Sequence, residues 1–256
     1  MQIAVQTRCL AQPLRQALHT AGTLGFAGVQ IDAREELHPT ELSDTGVRQV
    51  RKMLDDLNLR VASATFASRR GYADSQDLER RLAATAEAMR MAGRLGARVL
   101  VLATGATPAT ATPERSTLLE ALMSLATQSG RLGVELALQC GDAAPDEVAA
   151  LLAELPQGML GVDLNPAEFI RGGRSPRDVA ARLGAQVRHV YANDAVRGLG
   201  GAAAIDVQLG RGEAGIPELL GALEEYEYRG WVTVAPRNSR QPVEECGDAL
   251  AYLRSL

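Results

Sequence analysis

Short apolar runs alternate with longer segments of helical periodicity along the whole 256-residue chain. The runs QIAVQ, GVQID, RVASA, RVLVL, VELALQ, MLGVDLN, VRHVYA and WVTVA are rich in β-branched residues, which predicts strands. Between them, residues 14–24, 45–57, 76–95, 114–132, 146–155, 177–183, 217–226 and 244–256 carry the apolar spacing of amphipathic helices. Eight strand–helix units are the number that closes a parallel barrel of ~250 residues. The pattern therefore predicts an α/β fold, a single (β/α)8 TIM barrel occupying residues 1–256 as one domain.

The punctuation between runs agrees. Thr112-Pro113-Glu114 and Ser175-Pro176-Arg177 each set a capping hydroxyl before a proline at the first helical position. Gly25, Gly96, Gly133 and Gly184 each follow a leucine at a predicted helix end, where a left-handed cap suits glycine. The competing fold is an open doubly wound sheet. Against it, no GxGxxG follows the first strand and no P-loop occurs in the chain.

Composition narrows the partners. The 27 basic and 31 acidic residues are interleaved and leave a net charge of −4, which argues against nucleic acid. No window offers the ~18 consecutive apolar residues of a membrane span. The start MQIAVQTRCL has no basic stretch leading into an apolar run, so a cytoplasmic location is the expectation. Three scattered cysteines, Cys9, Cys140 and Cys246, fit neither a disulfide framework nor a structural zinc site and are expected to be free thiols.

In such a barrel the site lies at the C-terminal strand ends, and residues two apart share a face. Alternation points Gln6 and Arg8 on the first strand, and Gln30, Asp32 and Arg34 on the second, toward the mouth. On the fifth to seventh strands the inward sets are Glu135 and Gln139, Asp163 and Asn165, then His189, Tyr191 and Asn193. A mouth rich in amides and moderately charged suits a hydroxylated small molecule. Asp32 and Arg34 are either a local ion pair or ligand contacts, and His189 either a satisfied core residue or an acid–base group. Arg69, in the run Ser68-Arg69-Arg70-Gly71-Tyr72, either grips a phosphate or belongs to a solvated loop. Cys140 follows inward-facing Gln139 and should point away from His189, which argues against a nucleophile–base dyad.

The order of motifs IAVQTR, LGFAGVQIDAR, GVDLNPAEFI, RHVYANDAVRG and LGRGEAGIPELLGALEEYEYRGWVTV resembles the xylose isomerase-like TIM barrels, a group of sugar-phosphate isomerases and epimerases. The resemblance covers nearly the whole chain, and the last stretch is its most specific part. It implies a divalent metal held by a glutamate ending strand five, an aspartate ending strand six, a histidine on strand seven and a glutamate ending strand eight. Those positions fall here on Gln139, Asn165, Tyr191 and Ala235, and all four differ. Two neutral amides, a phenol and a methyl group offset the dehydration of Mg²⁺ or Mn²⁺ poorly.

The expectation is a barrel that binds or acts on a small sugar, polyol, keto-sugar or sugar phosphate with a degenerate metal site. No cofactor is expected, and a divalent metal only if an alternative site exists. Without metal, Arg8, Arg34 and Arg237 would supply positive charge and Asp32, His189 and Asp194 would move protons. A non-catalytic carbohydrate-binding or regulatory protein and a metal-independent isomerase or lyase stay open as alternatives, as do substrate and oligomeric state.

Overall fold

A computed structural model of the chain describes residues 1–139, 143–158, 160–198 and 203–256. Eight parallel strands close on themselves: β1 (Gln2–Gln6), β2 (Gly28–Asp32), β3 (Arg60–Phe66), β4 (Val99–Ala103), β5 (Glu135–Gln139), β6 (Leu160–Leu164), β7 (Val187–Ala192) and β10 (Trp231–Val234). The closure expected of a barrel is made by β1 beside β10, with Gln2 opposite Trp231 and Val5 opposite Val234. Around them run α1 (Leu14–Leu24), α2 (Asp44–Asp56), α3 (Leu78–Leu95), α4 (Pro113–Leu132), α5 (Pro145–Ala153), α7 (Pro176–Leu183), α8 (Ile216–Glu225) and α9 (Pro242–Ser255). Among the described residues, short elements that escape the hydropathy pattern include helix α6 (Pro166–Arg171) and an antiparallel pair, β8 (Asp194–Val196) with β9 (Ile205–Val207).

Strand alternation divides the apolar residues into two layers. Val5, Val29, Ile31, Leu100, Leu102, Leu136, Leu138, Val232 and Val234 face the helices and join the main core. Inside the barrel a small cluster holds Val101, Ala137, Tyr191 and Ala235. The rest of the lumen is polar: Gln30, Ser63, Asp163, His189 and Thr233 are all buried.

The capping signals act as their chemistry predicts. The Thr112 hydroxyl accepts from Arg115 N at the start of α4, and the Ser175 hydroxyl accepts from Asp178 N at the start of α7. Gly25, Gly96 and Gly133 end their helices with φ of 89°, 91° and 64°. Gly184 differs, with φ −54° running into a short 3-10 turn. Glycine is required there for space, because a Cβ would overlap the Tyr226 ring.

Two register shifts matter for the lumen. β3 slips by one residue after the Val29–Val61 pair, so that Gln30 stands opposite Ser63. β7 slips in the same way after Val162–Val187, so that Asp163 stands opposite His189. Each shift places two polar side chains side by side on the inward face.

Candidate functional site

Gln30 is the centre of the lumen. Its Oε1 accepts from Gln6 Nε2 at 2.8 Å and from the Tyr191 hydroxyl at 2.8 Å. Its Nε2 is 2.8 Å from Ser63 Oγ and 3.1 Å from His189 Nε2. The other side of His189 lies against Asp163, with Nδ1 2.6 Å from Oδ1, and the Thr233 hydroxyl is 2.8 Å from Nε2. Asp163 Oδ2 in turn accepts from Gln139 Nε2 at 2.9 Å. One connected network thus ties β1, β2, β3, β5, β6, β7 and β10 together, with Nδ1–H of His189 donating and Nε2 accepting.

Of this set, Gln6 and Gln139 are partly open at the mouth, whereas Gln30, Tyr191 and His189 lie beneath them. Burial raises the Tyr191 phenol well above its ordinary range, so it stays a neutral donor to Gln30. The Cys9 thiol donates to Gln6 Oε1 at 3.1 Å and is pushed up to about 12, chiefly by burial, so it is no thiolate nucleophile at neutral pH. Cys140 lies outside the described residues.

A second cluster guards the rim. Asp32 pairs with Arg8, Oδ2 to Nη1 at 2.9 Å, while its Oδ1 accepts from the backbone N–H groups of Arg34 and Glu35 at 2.8 and 3.0 Å. The Asp32 hydrogen bond is the main reason the Arg8 guanidinium is held above its usual value. The Asp32–Arg34 ion pair considered from sequence is not formed: the Arg34 guanidinium donates to Ala67 O at 2.5 Å. Glu36, which sequence reasoning missed, joins the rim through Oε2, accepting from Thr7 Oγ1 at 2.7 Å and Asp32 N at 2.8 Å. Its Oε1 is buried without a hydrogen-bond partner among the described residues, and burial raises the Glu36 pKa.

The remaining candidates lie apart. Asn165 caps α6, accepting from Glu168 N at 3.4 Å, and accepts from Asn193 Nδ2 at 2.9 Å. The inward polar group of β6 that meets Gln139 is therefore Asp163, not Asn165. Arg237 pairs with Glu168 at 2.8 Å, and Arg171 does so at 3.1 Å. Asp194, expected to move protons, is engaged by four backbone N–H groups. Oδ1 accepts from Ala195 N and Ala214 N, and Oδ2 from Gly210 N and Gly212 N, all at 2.9–3.0 Å. Four bonds use the lone pairs of a carboxylate, so Asp194 organises the loop after β9. Arg34 and Arg69 line a groove outside the lumen. Ser63 and Thr233, also missed, are polar residues inside otherwise apolar strand runs, and inward parity would have flagged Thr233.

The metal implied by the resemblance does not suit this donor set. Gln139, Tyr191 and Ala235 provide an amide, a neutral phenol and a methyl group. Asp163, a carboxylate in contact with Gln139, is held by that amide and by His189. Glu168 is offset by two arginines. Among the described residues, no group of three or more His, Cys, Asp or Glu side chains is placed to hold an ion.

A closed eight-stranded β/α barrel with a polar mouth at the C-terminal strand ends defines the class. The chain belongs to the xylose isomerase-like TIM barrel family, whose model matches residues 18–256. Among solved structures it is similar to a xylose isomerase domain protein from Planctomyces limnophilus, at 21% identity and TM-score 0.86, covering 100% of this chain and 96% of that one. A D-psicose 3-epimerase crystallised in the presence of D-fructose is 16% identical, with TM-score 0.80 and coverage of 100% and 99%. A xylose isomerase-like barrel from Mycobacterium smegmatis in complex with magnesium is 18% identical, with TM-score 0.79 and coverage of 94% and 87%. No curated protein matches the sequence. No helix among the described residues is long and apolar enough to cross a membrane.

Proposed function

We propose that this chain is a sugar isomerase/epimerase-family barrel that binds a small sugar, polyol or keto-sugar and has given up the family's divalent metal, leaving activity weak, altered or absent. The observation that carries the reading is the closed hydrogen-bond network from Gln6 through Gln30, His189 and Asp163 to Gln139. Its members satisfy one another where a metal would need free anionic donors. The same closure favours binding over turnover, because His189 Nε2, the nitrogen that would take up a proton, is already occupied by the Gln30 amide and the Thr233 hydroxyl, and those bonds would have to break first.

In this reading the ligand meets the accessible amides of Gln6 and Gln139, with Tyr191 and Gln30 as the supporting layer. Arg8 and Arg237, half-exposed and each held by one carboxylate, are placed to take a carbonyl or anionic oxygen. Asp32 positions Arg8, and His189 with Asp163 fixes the floor.

The reading is tested with a panel of ketoses, inososes and their phosphates, measured for binding by calorimetry and for turnover with Mn²⁺ and with chelator. The expected result is saturable binding of at least one polyol that chelator leaves unchanged. Efficient turnover that depends on added Mn²⁺ would overturn it.

A further inference from the structure

A groove of about 540 Å³ runs outside the barrel lumen, between the segments following β2 and β3 and the first turns of α3. Arg34, Arg69, Arg70, Arg80 and Arg81 line it, against only two carboxylates, Asp77 and Glu87. Glu87 is already engaged by Arg90. In a chain of net charge −4, three separate segments thus converge to make one strongly positive concavity.

The arginines divide into braces and free heads. Arg34 is fixed to Ala67 O, Arg81 donates to the backbone carbonyls of Asp74 and Gln76, and Arg70 pairs with Asp74 at 2.9 Å. Arg69 and Arg80 are exposed and have no protein partner among the described residues.

The segment that displays Arg69 and Arg70 is clamped. A Cβ at Gly71 would come 2.5 Å from Thr104 O and 3.0 Å from Gly105 Cα, so the backbone lies directly on the loop after β4. Tyr72 N donates to Thr104 O at 3.1 Å, and the fully buried Tyr72 side chain places its hydroxyl 2.7 Å from Thr85 Oγ1 of α3. A backbone held in place before binding limits the freedom lost when an anion meets the arginines it displays. Their planar forks match the several oxygens of a phosphate group. Phe66, Pro39 and Ala84 add apolar wall for the body of an ester.

We propose that this groove is a binding site for a small organic phosphate monoester, separate from the barrel lumen. The shared chemistry is one phosphate on an organic body, which a sugar phosphate or a nucleotide would both provide.

Calorimetric titration of the full chain at low salt with ribose 5-phosphate, adenosine 5′-monophosphate and inorganic phosphate tests the proposal. The expected result is one saturable site that prefers one of the two esters, which identifies the source. R69A/R80A is expected to weaken it at least tenfold, and the off-groove double variant R131A/R177A to leave it unchanged. All four arginines are exposed, so the fold should persist, and circular dichroism checks this. No saturable binding of any probe, equal weakening by both double variants, or inorganic phosphate binding as tightly as the esters would overturn it.

Discussion

His189 Nδ1 lies 2.6 Å from Asp163 Oδ1, with both side chains buried at the centre of the barrel. The β7 register shift puts these residues opposite each other. Once Nδ1–H is committed to Asp163, Nε2 must accept, and the Gln30 amide and Thr233 hydroxyl supply donors. A single pairing thereby orients the polar floor on which the mouth rests.

Asp163→Asn tests that orientation. The amide can satisfy either His189 N–H or Gln139 N–H through its one oxygen, and its own NH₂ then faces a donor. Stability should fall by about 1–3 kcal/mol, the cost of a buried unsatisfied group. A lower urea midpoint with an unchanged slope reads this directly. A midpoint equal to wild type would show that the network is not formed.

Asp194→Ala separates a loop organiser from an acid–base group. Removing the carboxylate leaves the N–H groups of Ala195, Gly210, Gly212 and Ala214 without their acceptor. Amide exchange at Gly210, Gly212 and Ala214 should accelerate sharply, while Asp194→Asn keeps part of the protection. Unchanged exchange at these amides would contradict the loop-organising role.

Glu36 gives a pH dependence with a definite sign. Its folded pKa is raised from 4.5, mainly by burial, against the opposing hydrogen bonds from Asp32 N and Thr7. Below 4.5 both folded and unfolded states are protonated; above the raised folded value neither is, and the folded state bears the cost of a buried charge. Glu36→Gln should therefore gain stability relative to wild type as pH rises from below 4.5 to neutrality. Urea midpoints of both proteins at the two pH values decide it, and a relative loss on raising the pH would contradict the assignment.

The barrel was legible because its elements are long and regular: all eight strand runs coincide with strands, and the two Thr/Ser-Pro signals with helix starts. Period-two alternation pointed Gln6, Gln30, Gln139, His189 and Tyr191 inward, and the structure joins them in one hydrogen-bond network inside the barrel. Helix α6 and the β8–β9 pair were not legible, since six residues and two runs of three carry too little periodicity to register. The partners of each side chain were hidden for a different reason. A one-residue register shift decides that Gln30 meets Ser63 and Asp163 meets His189, and a shift has no local signature in composition. Asn165, which the resemblance aligned with a metal-ligand position, is seen here as the cap of α6, with Pro166 at the first helical position.

The central claim is that the mouth of this barrel is organised by hydrogen bonds among its own side chains rather than around a divalent ion. Titration of the chelator-treated, desalted chain with Mn²⁺, followed by the electron paramagnetic resonance of free Mn²⁺, tests it most directly. The account predicts that the free-ion signal rises in proportion to added Mn²⁺ from the first addition. One tightly held Mn²⁺ per chain, lost in Asp163→Asn, would contradict it.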